Sequence, residues 1–176
     1  REWGTKCVER FNGMWAFVIL DQTTGTVFGA RDRFGVKPLY CHRQEKFTIF
    51  ASETKAIRDS GLMQARVNWD TVSRWLLEDH LEVDTSTFLS GITSVPPGTA
   101  FEIDAAGKLR SWSYWNVLNG AIRPEPNAAA QFRDLFEDAV RLRMRSDVPV
   151  GVLLSGGLDS TSIFCGMSRQ LVAGGS

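Results

Sequence analysis

The sequence predicts two fold classes in one chain: an α+β part rich in antiparallel strands, and then the start of an α/β domain with a parallel sheet. Short β-rich runs joined by turn residues fill the first part. The segment "NGAIRPEPN" at 119–127 is rich in proline, glycine and asparagine, which is typical of a linker. A helical apolar pattern and a continuous apolar run follow it. The predicted divisions are therefore 1–118, a linker at 119–127, and 128–176.

The first part contains two predicted hairpins and a further strand. "GMWAFVILDQTTGTVFGARD" (13–32) alternates β-rich runs with turn residues, and "VPPGTAFEIDAAGKLRSWSYW" (95–115) does the same. "KFTIFASE" (46–53) predicts a strand, and "SETKAIRDSG" predicts a helical turn that ends at Gly61. Asn68 is the predicted N-cap of a further helix. The apolar face of that helix is predicted to hold Trp69, Val72, Trp75 and Leu76.

The second part has the pattern of a helix, a buried strand and a helix. The first helix carries an apolar stripe, formed by Phe132, Leu135, Phe136, Ala139 and Val140. "VPVGVLL" (148–154) is the continuous apolar run expected of a parallel strand that is buried on both faces. The last helix is predicted from about Ser160 to Val172, closing at Gly174.

Composition excludes several classes of partner. The 176 residues are 43% hydrophobic and 23% charged, which indicates a folded chain of one domain or two small pieces. Twenty basic and twenty acidic residues cancel, so we expect no nucleic-acid partner and no anionic membrane surface. No apolar run approaches the roughly 20 residues of a membrane span. Three separated cysteines suit reduced thiols in the cytosol. We expect a piece of a longer protein, because Arg1 is no initiator and the predicted parallel strand has no partner.

A glycine turn joins the predicted strand to the last helix. Backbone amides freed by Gly156 and Gly157, beside a helix N-terminus, attract an anion and let it approach closely. Asp159 would repel a bound phosphate unless a Mg²⁺ ion lies between them. Further hydroxyl donors come from Ser155, Ser160 and Thr161.

Other interpretations of this turn fit less well. A Walker A loop needs a lysine that is missing here. A nucleophile elbow needs glycine where Leu153 stands, and no histidine follows Ser155. A plain capped turn, with Asp159 assisting the helix N-terminus, remains open. A phosphate site is the favoured interpretation.

The segment "SGGLDS" (155–160) resembles the ATP-pyrophosphatase loop, and "RLRMRSDVPVGVLLSGGLDSTSI" (141–163) resembles the glutamine-hydrolysing asparagine synthetase family. Three upstream segments, "FNGMWAFVILD", "ARDRFGVKPLY" and "ASETKAI", resemble the late section of that family's class II glutamine amidotransferase domain. "SVPPGTAFEID" and "SWSYW" resemble its last strands. The likeness covers nearly the whole chain.

The resemblance implies an αββα N-terminal-nucleophile amidotransferase portion, followed by the start of an adenine-nucleotide α-hydrolase-like parallel-sheet domain. It implies a cytoplasmic ligase, expected to be a homodimer, that takes glutamine, aspartate and ATP with Mg²⁺. Ammonia from glutamine would attack β-aspartyl-AMP and give asparagine, AMP and pyrophosphate. The positions that carry over to the pyrophosphate site are Ser155, Gly156, Gly157, Asp159 and Ser160. Asp159 would hold the Mg²⁺, and the Leu153 backbone would contact adenosine.

The glutaminase residues of the family do not carry over. Its nucleophile is an N-terminal cysteine whose free amine serves as base, whereas this chain starts with Arg1. Cys7 is not given that role either. Cys41 and Cys165 are expected to be small buried apolar residues.

Four charged residues in "RDRFGVKPLY" could form a phosphate patch, but we favour a loop that braces two domains by ion pairs and turn geometry. They are Arg31, Asp32, Arg33 and Lys37. His42 and His80 lack neighbours at metal-ligand spacing and receive no role.

Rival functions remain open. A β-lactam synthetase or a lasso-peptide cyclase would use the same scaffold for another bond. A non-catalytic nucleotide-binding module is the rival from another class, although a pure anion site has no use for the Asp159 carboxylate. A serine hydrolase lacks its elbow and its histidine.

Overall fold

A computed structural model describes residues 2–79, 83–120 and 126–174. The chain divides into two compact units, Arg1–Gly120 and Ala121–Ser176. Among the described residues, no helix combines the length and the hydropathy needed to cross a membrane.

The first unit contains two antiparallel sheets. The four-stranded sheet has the order β1-β2-β6-β7, and the three-stranded sheet has the order β4-β3-β5. The strands are β1 (Ala16–Asp21), β2 (Thr26–Arg31), β3 (Tyr40–Arg43), β4 (Thr48–Ala51), β5 (Thr93–Ser94), β6 (Thr99–Ile103) and β7 (Leu109–Ser113). The helices are α1 (Thr54–Arg58) and α2 (Trp69–Glu78), with 3₁₀ helices at Gly4–Arg10 and Val117–Asn119.

The central strands β2 and β6 of the four-stranded sheet are covered on both faces, because their side chains alternate between two apolar clusters. Ala30 and Ala100 point to a cluster with Val8 of the first 3₁₀ helix. Phe101 points the other way, into a cluster shared with the three-stranded sheet. There its ring stacks on that of Phe50, with centroids 4.8 Å apart. The two sheets therefore pack face to face.

Both predicted hairpins are confirmed, since β1 pairs with β2 and β6 pairs with β7, each antiparallel. The strand at 46–53 forms as β4, and the helical turn forms as α1. The first 3₁₀ helix and the short strands β3 and β5 were not predicted, because none of them has a strong apolar period.

The predicted apolar face of α2 is only partly buried, since Val72 is half-buried and the Trp75 ring packs against that of Phe88, with centroids 5.6 Å apart. Trp69 and Leu76 are each 69% exposed, whereas Thr71 is 5% exposed. Asn68 does cap the helix, since its side chain accepts the Thr71 N–H at 3.4 Å. The backbone N–H of Asn68 donates to the carbonyl oxygen of Phe88, which lies in the segment 83–120. That anchor turns the side of the helix with Asn68 and Thr71 inward, and the apolar period alone does not reveal it.

The second unit is described as a pair of helices, α3 (Ala128–Arg143) and α4 (Leu158–Gly174). They approach at Gly166, where an added Cβ would lie 3.5 Å from a methyl group of Val140. Only part of the predicted stripe on α3 is buried, since Phe132 is 69% and Leu135 is 71% exposed. The last helix is confirmed and begins two residues earlier than predicted.

The predicted parallel strand at 148–154 does not form within the described residues. Leu153, expected to be buried, is 95% exposed. The physical reason is that a strand needs a hydrogen-bonded neighbour, and the described part of the second unit offers helices alone. The antiparallel first part is thus confirmed, and the parallel sheet is not.

Candidate functional site

The candidate site is the turn that leads into α4. Gly156 adopts a φ of +80°, a conformation that side chains resist, and a Cβ there would meet open space. Gly157 does not have a positive φ, and a Cβ there would contact only the Ser155 hydroxyl, at 3.4 Å. The turn therefore requires glycine at 156 because of the positive φ, whereas the lack of a side chain at Gly157 leaves open space beside the turn.

Hydroxyl groups tie this turn to the first turn of α4. The Ser155 and Ser160 hydroxyl oxygens lie 3.0 Å apart. The Thr161 hydroxyl donates to the Gly157 carbonyl oxygen at 2.8 Å. The Gly157 N–H also donates to the Ser155 hydroxyl oxygen, at 3.4 Å. These bonds hold the start of the helix against the turn.

Asp159 lies in this first turn, where the helix dipole stabilises a carboxylate. It is exposed and lines a groove of about 710 Å³ between α3 and α4. Arg133 and Arg169 line the same groove. No local sequence pattern marks these two arginines, because only the pairing of the helices brings residues so far apart in sequence together.

The structure thus brings together five predicted site residues, namely Ser155, Gly156, Gly157, Asp159 and Ser160. Leu153 lies upstream of the turn and is exposed. Among the described residues, no cluster of three or more histidine, cysteine or acidic side chains could hold a metal. A cation here would have one protein carboxylate, which fits Mg²⁺ bound chiefly through phosphate oxygens and water.

The charged loop after β2 is not a phosphate patch, because its guanidinium groups are already bonded to carbonyl groups. Arg31 is 4% exposed and donates to the carbonyl oxygens of Gly35, Lys37 and Val95 at 2.6, 2.8 and 2.7 Å. Arg33 donates to carbonyl groups at the end of the first 3₁₀ helix. That this loop braces two domains stays a prediction.

Asp32 is the centre of this loop. It is 1% exposed, and its carboxylate accepts four backbone N–H groups. Burial by itself would raise the pKa of Asp32, but the N–H groups of Lys37, Val36, Phe34 and Trp15 outweigh burial and hold the pKa below its usual value. The carboxylate is a structural group that is satisfied by amides and not by an ion pair.

The cysteines and histidines differ in environment. Burial raises the pKa of the half-buried Cys41 thiol, against the opposing charge of Arg43, which fits a packing role. Cys165 is exposed, contrary to expectation, because Gly166 is the residue that α4 turns toward α3. His42 is buried, and its Nδ1 lies 2.7 Å from the Gly91 carbonyl oxygen. His80 lies outside the described residues.

Comparisons with known proteins agree with the order of these features. Residues 1–115 match the family model of the glutamine amidotransferase domain. Residues 131–173, which include the turn, match the asparagine synthase model.

Curated relatives match nearly the whole chain. Asparagine synthetase [glutamine-hydrolyzing] 3 of Bacillus subtilis (strain 168) is 36% identical over 92% of this chain and 26% of its own length. Putative asparagine synthetase [glutamine-hydrolyzing] 2 of Methanocaldococcus jannaschii is 35% identical over 95% of the chain and 33% of its own length. Amidase chry2 of Gibberella zeae is 30% identical over 100% of the chain and 26% of its own length.

The chain thus spans between a quarter and a third of the length of these relatives. The amidotransferase model covers well over half of the chain, and the asparagine synthase model matches the part that carries the glycine turn. The chain therefore belongs to the glutamine amidotransferase domain family, with the start of an asparagine synthase domain following in the same chain.

Proposed function

We propose that this chain is part of an ATP-dependent ligase that hydrolyses glutamine and makes L-asparagine from L-aspartate. One observation carries the proposal: an amidotransferase match at 1–115 is followed in one chain by an asparagine synthase match that contains the Ser155–Ser160 turn. The two matches support a longer protein that combines an ammonia source with a site that activates the acceptor. Aspartate would be activated as β-aspartyl-AMP with release of pyrophosphate, and ammonia would then displace AMP.

The ATP site is proposed at the turn before α4. Backbone N–H groups of Gly156 and Gly157, with the hydroxyl groups of Ser155 and Ser160, would bind the pyrophosphate portion. The open space beside Gly157 supports this role, because among the described residues only Ser155 comes within 4 Å of a Cβ built there. The main chain at Leu153 would contact the adenosine portion.

Asp159 is proposed to hold Mg²⁺. A carboxylate in this position would oppose a phosphate, so its presence favours a shared cation. A Mg²⁺ ion held by Asp159 would supply positive charge near the α-phosphoryl group during attack on it. The protein contributes the position of the carboxylate, since Ser160 and Thr161 fix the first turn of α4 through Gly157.

The finer architecture also belongs to the proposal. We propose domain divisions at 1–118, 119–127 and 128–176, an αββα N-terminal-nucleophile fold for the first part, and a parallel-sheet fold for the second. The relatives' greater length supports the last point, because further strands could pair with 148–154. A cytoplasmic homodimer is proposed for the longer protein.

A second candidate is a related ligase that uses the same scaffold for another acceptor. The match to amidase chry2 over 100% of the chain supports this second candidate. β-Lactam synthetases and lasso-peptide cyclases are scaffolds of this kind. Dependence of pyrophosphate release on aspartate separates these candidates from an asparagine synthetase.

The test compares Asp159→Asn and Gly157→Ala in the full-length protein. Asp159→Asn should lower aspartate-dependent pyrophosphate release on the order of 10²–10³-fold, as expected when a stabiliser of transition-state charge is removed. Gly157→Ala should raise the KM for ATP, because its Cβ would fill the space left for phosphate. Glutamine hydrolysis, measured as glutamate release, should stay near the wild-type rate in both.

Asp134→Asn is the matched control, because this carboxylate is exposed on α3 and is not among the residues that line the groove. It should leave both rates unchanged. Normal pyrophosphate release by Asp159→Asn would mean that the carboxylate only caps the helix. Pyrophosphate release that needs another acceptor in place of aspartate would favour the second candidate.

A further inference from the structure

We propose that Arg133 binds the pyrophosphate portion of ATP across the groove that Asp159 lines. This inference deepens the proposed function and rests on it, because it concerns the same ATP site. The turn at 155–160 contains one carboxylate and no lysine, arginine or histidine. One Mg²⁺ ion does not balance a triphosphate together with that carboxylate, so a further cation has to come from elsewhere. In P-loops, a lysine within the loop itself supplies this charge.

The pairing of α3 and α4 places Arg133 at the same end of the groove as Asp159. The two helices approach at Gly166, where an added Cβ would lie 3.5 Å from a methyl group of Val140. Arg133 and Asp159 each lie seven residues before this contact in their own helix, which is about 10 Å along a helix axis. Apart from Arg169, every residue that lines the groove comes before the contact. The two side chains therefore lie on the same side of the helix crossing.

The two arginines that line the groove differ in their partners. A guanidinium nitrogen of Arg169 lies 3.5 Å from a carboxylate oxygen of Glu137. Arg133 is exposed and, among the described residues, makes no hydrogen bond or ion pair. Its guanidinium can thus bind an anion without first losing a contact within the described chain. The planar guanidinium also suits phosphate, because two of its N–H groups can donate to one phosphate group.

The role of Arg133 is to stabilise the leaving group. In the proposed reaction, a carboxylate oxygen of aspartate forms a bond to the α-phosphorus of ATP. The bond from that phosphorus to the bridging oxygen of pyrophosphate breaks, and the electron pair leaves with pyrophosphate. Negative charge on the pyrophosphate oxygens therefore grows during the step, and a guanidinium beside them stabilises that charge.

The test uses Arg133→Gln in the full-length protein, since glutamine keeps a polar side chain but carries no charge. Binding of Mg²⁺–pyrophosphate, measured by titration calorimetry without aspartate, should weaken on the order of tenfold, because a charge-assisted contact is lost. The KM for ATP should rise by a similar factor. The KM for aspartate and the rate of glutamine hydrolysis should stay unchanged. Arg133→Lys keeps the charge and should recover part of the affinity for pyrophosphate.

Arg141→Gln is the matched control. Arg141 is an exposed arginine of the same helix, but it donates to Asp138 at 3.1 Å and does not line the groove. This variant should bind pyrophosphate as the parent protein does. Equal pyrophosphate affinity in Arg133→Gln and the parent would overturn the proposal, and so would an equal loss in Arg133→Gln and Arg141→Gln. A rise in the KM for aspartate alone would also overturn it, since the guanidinium would then bind the acceptor.

The proposed function and the role of Arg133 can fail separately. If Asp159→Asn stops pyrophosphate release while Arg133→Gln binds pyrophosphate normally, the ATP site stands and only the role of Arg133 is wrong. If the parent protein neither binds Mg²⁺–pyrophosphate nor releases pyrophosphate from ATP, both proposals are wrong.

Discussion

Replacing Asp32 by asparagine tests how the first unit holds its charged loop. Oδ1 accepts the N–H groups of Phe34 at 3.1 Å and Val36 at 3.0 Å. Oδ2 accepts those of Trp15 at 3.3 Å and Lys37 at 2.9 Å. Asparagine is nearly isosteric, but one oxygen becomes an NH₂ group that cannot accept. Two of the four backbone N–H groups therefore lose their partner.

The expected cost follows from these two bonds. A hydrogen bond to a charged group contributes about 1.5–3 kcal/mol, and a buried donor left without a partner costs a similar amount. Loss of two such bonds lowers the free energy of unfolding by about 3–6 kcal/mol. Because domains are stable by only about 5–15 kcal/mol, Asp32→Asn should leave the first unit marginally folded.

The assay is urea unfolding followed by tryptophan fluorescence, since Trp15 and Trp112 pack in the cluster beside this loop. Asp21→Asn is the control. Asp21 also accepts a backbone N–H, from Thr23 at 2.9 Å, but it is exposed in a hairpin turn. Its replacement should barely move the urea midpoint. Equal midpoints for Asp32→Asn and the parent chain would refute the reasoning.

The pH dependence provides a second check on the same carboxylate. The pKa of Asp32 is lowered in the folded state. Its contribution is therefore complete above the unfolded-state pKa of about 3.9, and it is lost as pH falls through the lower folded-state value. The difference in unfolding free energy between the parent and Asp32→Asn should be largest near neutral pH and should shrink in strong acid. A difference that is constant with pH would contradict this account.

Two further predictions concern the packing of the first unit. Gly29→Ala places a Cβ 2.3 Å from the Phe101 ring, so it should destabilise the chain by about 1–3 kcal/mol in thermal unfolding, whereas Gly151→Ala, in open space, should not. The Tyr114 hydroxyl donates to the Arg31 carbonyl at 2.8 Å, and burial raises the pKa of Tyr114 to about 12. Stability should therefore fall as pH rises from about 10 toward 12, because the unfolded phenol ionises first. Tyr114→Phe should weaken this fall, and an unchanged alkaline profile would count against it.

Local patterns in the sequence were sufficient to predict the two hairpins. In β1–β2 and β6–β7, turn residues stand between alternating runs, and neighbouring strands need no distant partner to choose their register. The residues of the glycine turn could also be found from sequence, because the backbone of Gly156 and the hydroxyl groups of Ser155 and Ser160 act within six positions. The role of these residues toward ATP stays a proposal.

What the sequence by itself determined is therefore local: which runs form strands, where turns and caps stand, and which short segment carries phosphate-type chemistry. Tertiary structure alone decided which face of α2 is buried, that Arg31 and Asp32 bind backbone groups and not a ligand, and that Cys165 is exposed. Within the part of the chain that the structure describes, 148–154 also has no strand partner, although its apolar pattern is strong. The physical reason is that burial and hydrogen-bond partners depend on surfaces supplied by distant segments, and a local pattern does not specify those surfaces.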